Sequence, residues 1–286
     1  MRDQYPVNLL CKLARVSASG FYGWLSARKS RRATRNETLR EAVRFYHRQS
    51  NGIYGYRKVH RDLVEDAGLS CSLETVRRVM QVEGLRSKII RKHRYPSKSE
   101  RPGSRPDNVL ARTFQASAPD RKWVADITYL WTNEGWLYLA IVLDLFSRRV
   151  VGWSMSDRAD AQLACQALRA AVQRRKPNAG LLHHSDQGCQ YTSEAFRTAL
   201  AQSGLECSMS RRGNCWDNAV AESFFSKLKK EWICDKRYRT YSEARLDVFI
   251  YLESFYNRQR RHAFLGYLSP EAFEKSFYQR QRNRAA

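Results

Sequence analysis

The stretch Ser210-Arg-Arg-Gly-Asn-Cys-Trp-Asp-Asn-Ala-Val-Ala-Glu-Ser-Phe-Phe-Ser-Lys-Leu-Lys-Lys-Glu-Trp232 is the most informative part of the chain. It begins as a polar loop that contains a glycine, and it predicts a helix from about Asp217, whose side chain is a suitable N-cap. Phe225, Leu228 and Trp232 recur at helical spacing, so one stripe of this helix faces a core.

The same helix carries an acid and a base on one face. Glu222 and Lys229 are seven residues apart in the sequence, which at about 100° per residue is close to two full turns. A carboxylate on a rigid helix, with a cation two turns along, suits metal binding next to a phosphate backbone. An ordinary surface pair on an amphipathic helix explains the same spacing, so other residues must decide between the two.

Composition and charge narrow the class of protein. The 286 residues are enough for two domains, and 43% hydrophobic residues exclude a disordered polycation. The net charge is +23; residues 1–118 carry 25 Lys and Arg against 10 Asp and Glu, and residues 119–286 carry 26 against 18. A field of this sign indicates a polyanionic partner, most simply nucleic acid. A ribosome-associated protein or a membrane-surface binder is the alternative.

Apolar runs and cysteines argue against a membrane or secreted protein. The longest apolar run, residues 137–143, ends at Asp144 and is too short to span a bilayer. No signal peptide is evident. The seven cysteines form no Cys-x-x-Cys pair, which indicates reduced thiols and no zinc site. We therefore expect a cytoplasmic protein without a membrane partner.

The first part of the chain predicts small helical units. Residues 1–30 have the proportions of a helix-turn-helix. Residues 31–95 predict a second helix-turn-helix unit that binds DNA, with helices over 36–49, 57–66 and 73–83.

Three features of this region concern DNA. The run Arg28 to Arg35 is interpreted as a basic connector, and Ser72 as the N-cap of the third helix. Arg77 and Arg78 on that helix are free to contact phosphates or base edges, although plain three-helix packing is the alternative. Residues 96–118 follow as a basic, proline-rich linker.

From residue 119 the pattern changes to a mixed α/β core over residues 119–275, before a basic tail over 276–286. The predicted elements are strands over 121–131, 136–146 and 149–155, a helix over 159–175, a strand over 180–186, a helix over 193–203, a strand over 205–209, the helix from Asp217, and a last long helix over 241–261.

Three carboxylates on separate elements form a candidate metal site. Asp126 lies inside an apolar strand, where an ionised carboxylate is costly unless it is paired or bound to a metal. Asp186 ends another apolar strand, and Glu222 lies on the helix described above. Ligands that are all oxygen select Mg2+ or Mn2+. Two such ions about 4 Å apart activate an attacking oxygen and stabilise the leaving oxygen at phosphorus.

The motifs around these acids resemble those of a known family. They are Trp123-Val-Ala-Asp-Ile-Thr-Tyr129, His184-Ser-Asp-Gln-Gly-Cys-Gln-Tyr191 and Gly213-Asn-Cys-Trp-Asp-Asn-Ala-Val-Ala-Glu-Ser-Phe-Phe225. They are similar to the DDE transposases of the bacterial IS-three family, second reading frame (OrfB). The 35 residues between Asp186 and Glu222 match the D-D-35-E pattern. Lys229 matches a basic position of that family and of retroviral integrases.

The resemblance covers nearly the whole chain and implies both fold and activity. It implies a ribonuclease-H-like mixed sheet flanked by helices, with Asp126, Asp186 and Glu222 as catalytic metal ligands. It further implies that water frees a 3′-hydroxyl at the transposon end and that this hydroxyl attacks target DNA. The implied partners are double-stranded DNA, as terminal inverted repeats and target, and further copies of the chain.

Two departures from related proteins affect the expected partners. The chain has no His-His…Cys-Cys zinc module and no long leucine-heptad segment. In the family the heptad segment belongs to the upstream frame (OrfA), so the chain acts either alone or as a fusion with that frame. Two alternatives are a non-catalytic DNA-binding repressor of transposition and a structure-unspecific nuclease of the same fold.

Other polar residues near the motifs are weaker candidates. His183 and His184 are interpreted as satisfied strand-end histidines rather than as groups that assist a water, and Asp144 as structural. Arg211 and Arg212 are candidates for phosphate contact, although ordinary surface charge is the alternative. Trp216 and Asn218, on the loop that leads to Glu222, are candidates for contact with the DNA end.

Overall fold

The computed structural model describes most of the chain as two compact units, one up to Arg86 and one from Ser87 onward. The described residues are 5–26, 30–88, 107–211 and 215–285.

The first unit is helical. Its helices are α1 (Val7–Leu13), α2 (Ala18–Ser26), α3 (Arg31–Gln49), α4 (Tyr56–Glu65) and α5 (Leu73–Val82). Helices α3, α4 and α5 enclose a small apolar core that includes Val43, Val59, Leu63 and Val76, all fully buried. The two predicted helical groups of this region are therefore present.

Serine caps set where two of these helices begin. Ser72 accepts a hydrogen bond from the Thr75 amide at the start of α5, as predicted. Ser30 does the same for the Ala33 amide, so α3 begins at Arg31. The interpretation of residues 28–35 as a connector is thus wrong from residue 31 onward, because arginine is a good helix former and Ser30 supplies the cap.

The second unit is built on a five-stranded mixed sheet with strand order β3-β2-β1-β4-β5. Its strands are β1 (Lys122–Thr132), β2 (Gly135–Asp144), β3 (Val150–Ser156), β4 (Leu182–Ser185) and β5 (Glu206–Met209). The first three form the predicted antiparallel meander. Strand β4 pairs in parallel with β1 and with β5.

Helices flank the sheet; four of them follow the predicted chain order, and the two over 189–192 and 270–285 were not predicted. They are α6 (Ala161–Arg175), the one-turn α7 (Cys189–Thr192), α8 (Glu194–Gln202), α9 (Ala219–Lys227), α10 (Tyr241–Phe249) and α11 (Pro270–Ala285). The helices α9 and α10 continue as π-helical turns over Leu228–Ile233 and Ile250–Tyr256. This is the predicted α/β fold class, a mixed sheet flanked by helices and preceded by small helical units.

One face of the sheet packs on α6 and α8. Trp123, Ala125 and Val142 lie in this core, together with buried side chains of both helices. Strand β3 approaches α6 so closely that a Cβ at Gly152 would lie 2.4 Å from the Ala167 carbonyl oxygen. Only glycine permits this packing distance.

The end of α10 corrects a predicted boundary. A helix was predicted through residue 261, but its π-helical continuation ends at Tyr256. The side chain of the next residue, Asn257, accepts from the Val150 amide at 3.0 Å and donates to the Val150 carbonyl at 3.0 Å. These bonds to the edge of β3 turn the chain away from the helix axis.

Two further segments differ from the predicted organisation. Leu110 is buried, and its amide donates to Ser208 Oγ at 3.1 Å, so residues 107–118 pack on the sheet unit and are not a free linker. Helix α11 continues across the predicted boundary between residues 275 and 276, so most of the basic tail is helical. In the described part of the chain, no helix is long and apolar enough to cross a membrane.

We expect Gly152→Ala to destabilise the second unit by about 1–3 kcal/mol, because the added methyl group overpacks the contact with α6. Urea unfolding followed by circular dichroism measures this. Gly23→Ala is the control, since no heavy atom lies within 4 Å of its added Cβ. Equal stability of the two variants would contradict the close approach of β3 to α6.

Candidate active site

Two of the three candidate carboxylates lie at one edge of the sheet. Strand β4 pairs with β1 over residues 122–124, so Asp126 lies on β1 just beyond the end of this pairing. Asp186 directly follows β4. Because the two strands are parallel and Val124 pairs with His184, Asp126 and Asp186 lie level with each other, two residues beyond the last paired residues.

A hydrogen bond ties the third element to this edge. The side-chain amide nitrogen Nδ2 of Asn218, the residue before α9, donates to the Ala125 carbonyl at 3.2 Å. Asn218 is 3% exposed, so this is a structural contact and not the DNA contact that its loop position first suggested. It fixes the start of the Glu222 helix beside the residue that precedes Asp126.

The electrostatics of Asp126 show how close the acids are. Burial raises the pKa of Asp126 well above its ordinary value, and the charges of Asp186 and then Glu222 raise it further. The Ile127 amide, which donates to Asp126 Oδ1 at 2.8 Å, and the Lys229 charge oppose this. Three carboxylates from β1, the end of β4 and α9 therefore act on one another.

Asp186 and Glu222 show weaker versions of the same effect. Desolvation raises the pKa of Asp186, and the Gly188 amide, which donates to its Oδ1 at 3.0 Å, lowers it. Desolvation and the charge of Asp186 raise the pKa of Glu222. Both side chains belong to exposed residues, so the edge is open to a ligand from solvent.

Lys229 lies close to the acids, as its helical spacing from Glu222 predicted. Desolvation lowers the pKa of its ammonium group, and the charge of Asp126 opposes this. The ammonium nitrogen lies 4.5 Å from the centroid of the Tyr129 ring. One cation therefore lies between an acidic site and an aromatic side chain.

The donor set fits a divalent ion even though the ligands are not gathered around one point. Within the described ranges, no three His, Cys, Asp or Glu side chains are close enough together to hold a metal ion. Desolvation and the charges of the other two acids nevertheless raise the pKa of Asp126. A cation relieves this repulsion, and a carboxylate-only set favours Mg2+ or Mn2+ over zinc.

Asp217 is not the predicted N-cap. A 3-10 turn over Cys215–Asn218 precedes α9, and the fully buried Asp217 carboxylate pairs with Arg211 Nε at 3.0 Å and Arg112 Nε at 2.9 Å. Hydrogen bonds from Arg211, together with those from Arg112, hold the pKa of Asp217 well below its usual range. A buried carboxylate needs such partners, and here they bind the approach to α9 to residues 107–118.

The two histidines before Asp186 are structural. His184 bonds Ser208 Oγ at 2.8 Å and Ser210 Oγ at 3.1 Å, so it is satisfied as expected. Burial lowers the pKa of His184 to about 4 and that of His183 to about 3, so both are neutral at pH 7. The ring of His183 has no hydrogen-bond partner in the described residues, contrary to the expectation that it is satisfied.

Asp144 is also structural, as interpreted. It is fully buried and accepts hydrogen bonds from the Asp120 amide at 2.9 Å and the Ser147 amide at 2.8 Å. Burial raises the pKa of Asp144 to about 6, and these donors limit the rise.

Tyr191 is a residue near the site that sequence reasoning missed. Its ring packs on Phe196 at 5.2 Å, and its buried hydroxyl has no partner in the described residues. Burial and then the charges of Asp126 and Asp186 raise the pKa of this hydroxyl. Its place at the end of the His-Ser-Asp-Gln-Gly-Cys-Gln-Tyr motif was the available signal.

The candidate DNA contacts belong to both units. In the first unit, Arg77 Nη2 pairs with Glu74 at 2.6 Å, and Arg78 Nε lies 3.5 Å from the same carboxylate. In the second unit, Arg211 pairs with Asp217 yet keeps 58% of its side chain exposed. Arg212 and the side chain of Trp216 lie outside the described residues.

Comparison with protein families matches both units. The integrase core domain family matches residues 116–215, and a second integrase core domain family matches residues 203–270. An HTH-like domain family matches residues 34–93. The helix-turn-helix and integrase domains imply a DNA-binding protein.

Relatives with similar sequences extend over nearly the full chain. The chain is 41% identical over 276 residues to the transposase InsF for insertion sequence IS3A of Escherichia coli (strain K12), covering 95% of this chain and 94% of the relative. It is 39% identical over 270 residues to the insertion element IS600 uncharacterized 31 kDa protein of Shigella sonnei, covering 94% and 99%.

Among solved structures, the HTLV-2 integrase catalytic core domain in complex with magnesium aligns with 55% of this chain and 98% of its own, at 14% identity and a TM-score of 0.43. The sequence matches carry the assignment. With its integrase core domain and its identity to InsF over most of its length, the chain belongs to the IS3 (IS-three) family of transposases, enzymes of the polynucleotidyl transferase class.

Proposed function

We propose that this transposase catalyses divalent-metal-dependent cleavage of transposon ends and strand transfer into target DNA, with Asp126, Asp186 and Glu222 as its catalytic carboxylates. The observation that carries the proposal is the placement of the three acids: the register of β1 and β4 puts Asp126 level with Asp186, and the hydrogen bond from Asn218 to Ala125 holds the start of the Glu222 helix beside them. Acids that disfavour one another's ionised form at an open edge are arranged for a cation rather than for stability.

The three carboxylates would hold Mg2+ or Mn2+, in the expected case as two ions. Bound ions supply charge neutralisation at phosphorus and a more acidic attacking oxygen. The exposure of Asp186 and Glu222 leaves room for a DNA phosphate to reach the same edge. The HTLV-2 integrase core domain with magnesium is in agreement with this metal.

The chain's own residues position the DNA. The Lys229 ammonium, whose pKa is lowered by desolvation, remains attracted to Asp126 and lies where a phosphate beside that acid would pass. Asn218 and Asp217 hold the start of α9 in place, so Glu222 is presented from a fixed helix. Charge stabilisation by such fixed groups requires no rearrangement during the reaction.

The first unit supports DNA recognition. Arg78 is 71% exposed along its side chain and lines a concave surface between α3 and α5 with Arg32 and Arg40. Three arginines around one concavity provide contacts to phosphates. The proposed ligand of this surface is double-stranded DNA of the terminal inverted repeats.

The further partners follow from the chemistry. Joining two transposon ends requires two active sites, so we infer a homo-oligomer on DNA, acting in the bacterial cytoplasm at the nucleoid. The upstream-frame protein (OrfA), or a fusion with it, is the proposed additional partner. In the described residues no long leucine-heptad helix is present to replace it.

We expect Asp126→Asn, Asp186→Asn and Glu222→Gln each to abolish cleavage and joining of a matched terminal repeat, because each removes a carboxylate ligand. DNA affinity is expected to stay unchanged. Strand transfer on labelled oligonucleotides measures activity, and gel shift measures binding.

Glu194→Gln, an exposed carboxylate at the start of α8, is the matched control and should retain joining. Joining by any of the three site variants would contradict the assignment of that residue. A non-catalytic repressor would bind DNA without Mg2+-stimulated joining, and an unspecific nuclease would cleave matched and scrambled ends alike.

We expect Asp126→Asn to raise the metal-free melting temperature at pH 7–8. The folded-state pKa of Asp126 lies above its unfolded value, so its contribution to stability is present below the unfolded pKa and is lost as pH rises through the folded pKa. The uncharged asparagine side chain of the variant avoids that loss, and each kcal/mol of stability regained raises the melting temperature by about 2–4 °C. Mg2+ should raise the melting temperature of the wild type but not of the variant. Equal Mg2+ shifts would contradict the site.

We expect Arg78→Ala to weaken duplex DNA binding uniformly across sequences and to reduce the slope of log affinity against log salt by about one, as loss of one phosphate contact does. Fluorescence anisotropy over a salt series measures both. Arg61→Ala, in a pair with Glu65 on α4, is the comparison variant. An unchanged slope for Arg78→Ala would exclude a phosphate contact.

A further inference from the structure

The β1–β2 hairpin carries an exposed group of aromatic rings that the proposed cleavage chemistry does not use. Tyr129, Trp131 and Trp136 are 47%, 58% and 46% exposed. Tyr129 stands opposite Tyr138, and Trp131 opposite Trp136, in the register of the two strands. We call Tyr129, Trp131, Trp136 and Tyr138 the aromatic ladder.

The rings of the aromatic ladder contact one another edge to face. The centroids of Trp131 and Trp136 are 4.8 Å apart at 72°, and those of Tyr129 and Trp136 are 5.0 Å apart at 84°. Cross-strand aromatic pairs stabilise a hairpin, which explains why the rings adjoin. Cross-strand pairing does not explain why two tryptophans stay about half exposed, because burying such a large apolar surface would stabilise the fold.

The ladder begins at the candidate active site. Tyr129 lies three residues after Asp126 on β1, so the two side chains leave opposite faces of the strand. Lys229 connects them, because its ammonium nitrogen lies 4.5 Å from the centroid of the Tyr129 ring. The charge of Asp126 in turn acts on Lys229. A DNA strand that runs from the carboxylates past Lys229 therefore meets the ring of Tyr129, the first ring of the aromatic ladder.

The far end of the ladder is flanked by positive charge. Beyond Trp131, Thr132 pairs with Tyr238, and the Asn133 amide donates to the Tyr238 carbonyl at 3.0 Å. The residues on either side of Tyr238 are Arg237 and Arg239, both exposed. Exposed rings with a lysine at one end and two arginines at the other match a nucleic acid strand, whose bases stack and whose phosphates are anionic.

We propose that the aromatic ladder is a stacking surface for unpaired bases of the DNA strand next to the bond that is cut. Paired bases inside a duplex keep their faces stacked on each other, so the ladder selects a strand whose bases are splayed out. The lysine at one end of the ladder and the two arginines at the other favour a polyanion as the occupant. The inference rests on the proposed function of Asp126, Asp186 and Glu222.

The test compares two DNA probes with the full chain in EDTA, so that no cleavage occurs. One is a short blunt duplex, and the other is the same duplex with a single-stranded extension. We expect Trp131→Leu to weaken binding of the extended probe about tenfold, the size of one lost base–aromatic stack. Binding of the blunt duplex should stay unchanged.

Two control variants test whether the effect needs an aromatic ring and whether it is specific to this surface. Trp131→Phe keeps a ring and should retain most of the preference for the extended probe. Phe264→Leu alters a residue of the same unit that is 59% exposed and should change neither affinity. Loss of affinity for both probes alike, or for neither, with Trp131→Leu would overturn the proposal.

A measurement on the wild type covers the case in which Trp131→Leu does not fold. A 2-aminopurine base in the single-stranded extension should be quenched on binding, since it stacks on an indole ring, and unquenched fluorescence would overturn the proposal. Light scattering that shows a change of oligomer with Trp131→Leu, at unchanged DNA affinity, would assign the ladder to contact between copies. Asp186→Asn should keep the quench, so failure of the stacking surface is distinguishable from failure of the catalytic proposal.

Discussion

The repulsion among three carboxylates at the open edge of the sheet is the constraint on which the rest of this structure depends. Asp126 lies on β1, where burial and the charges of Asp186 and Glu222 raise its pKa. A fold gains no stability from such an arrangement, so other contacts have to hold it. The close packing of β3 on α6 at Gly152 and the hydrogen bond from Asn218 to Ala125 are contacts of this kind.

A second electrostatic centre supports the first. Asp217 lies just before α9, and Arg112 and Arg211 neutralise its charge. The side-chain amide of Asn108 donates a further hydrogen bond to it at 2.7 Å. Removing one partner of a buried ion pair is costly, which makes this cluster a firm anchor for α9. The chain thus separates a satisfied carboxylate, which fixes the helix, from unsatisfied ones that are suited to a cation.

Features that depend on neighbouring residues in the sequence were predicted from the local pattern. The seven-residue spacing of Glu222 and Lys229 predicted that both lie on one side of an α-helix. The helix becomes π-helical at Leu228, and the charges of both residues act on Asp126. Alternating and apolar runs predicted the antiparallel meander and the short strand before Asp186, but not that this strand is parallel to its neighbours. The Ser72 cap was predicted for the same reason, because a cap depends on a few neighbouring residues.

Long-range contacts account for what pattern could not predict. Asp217 has the type and position of an N-cap, but Arg112, far away in sequence, takes its carboxylate. Asn257 ends the helix early because Val150 of another strand supplies its partners. The exposed fractions of Tyr129, Trp131 and Trp136 depend on what packs over the sheet, which no spacing in β1 or β2 reveals.

The position of bound metal tests whether Asp126, Asp186 and Glu222 form one metal site. Crystals of the wild-type protein soaked in Mn2+ and measured at the manganese absorption edge locate every bound ion by its anomalous scattering. The account predicts peaks in contact with carboxylate oxygens of Asp126, Asp186 and Glu222, and none there in Asp126→Asn. Peaks held by other residues, or a wild-type site without manganese, would contradict it.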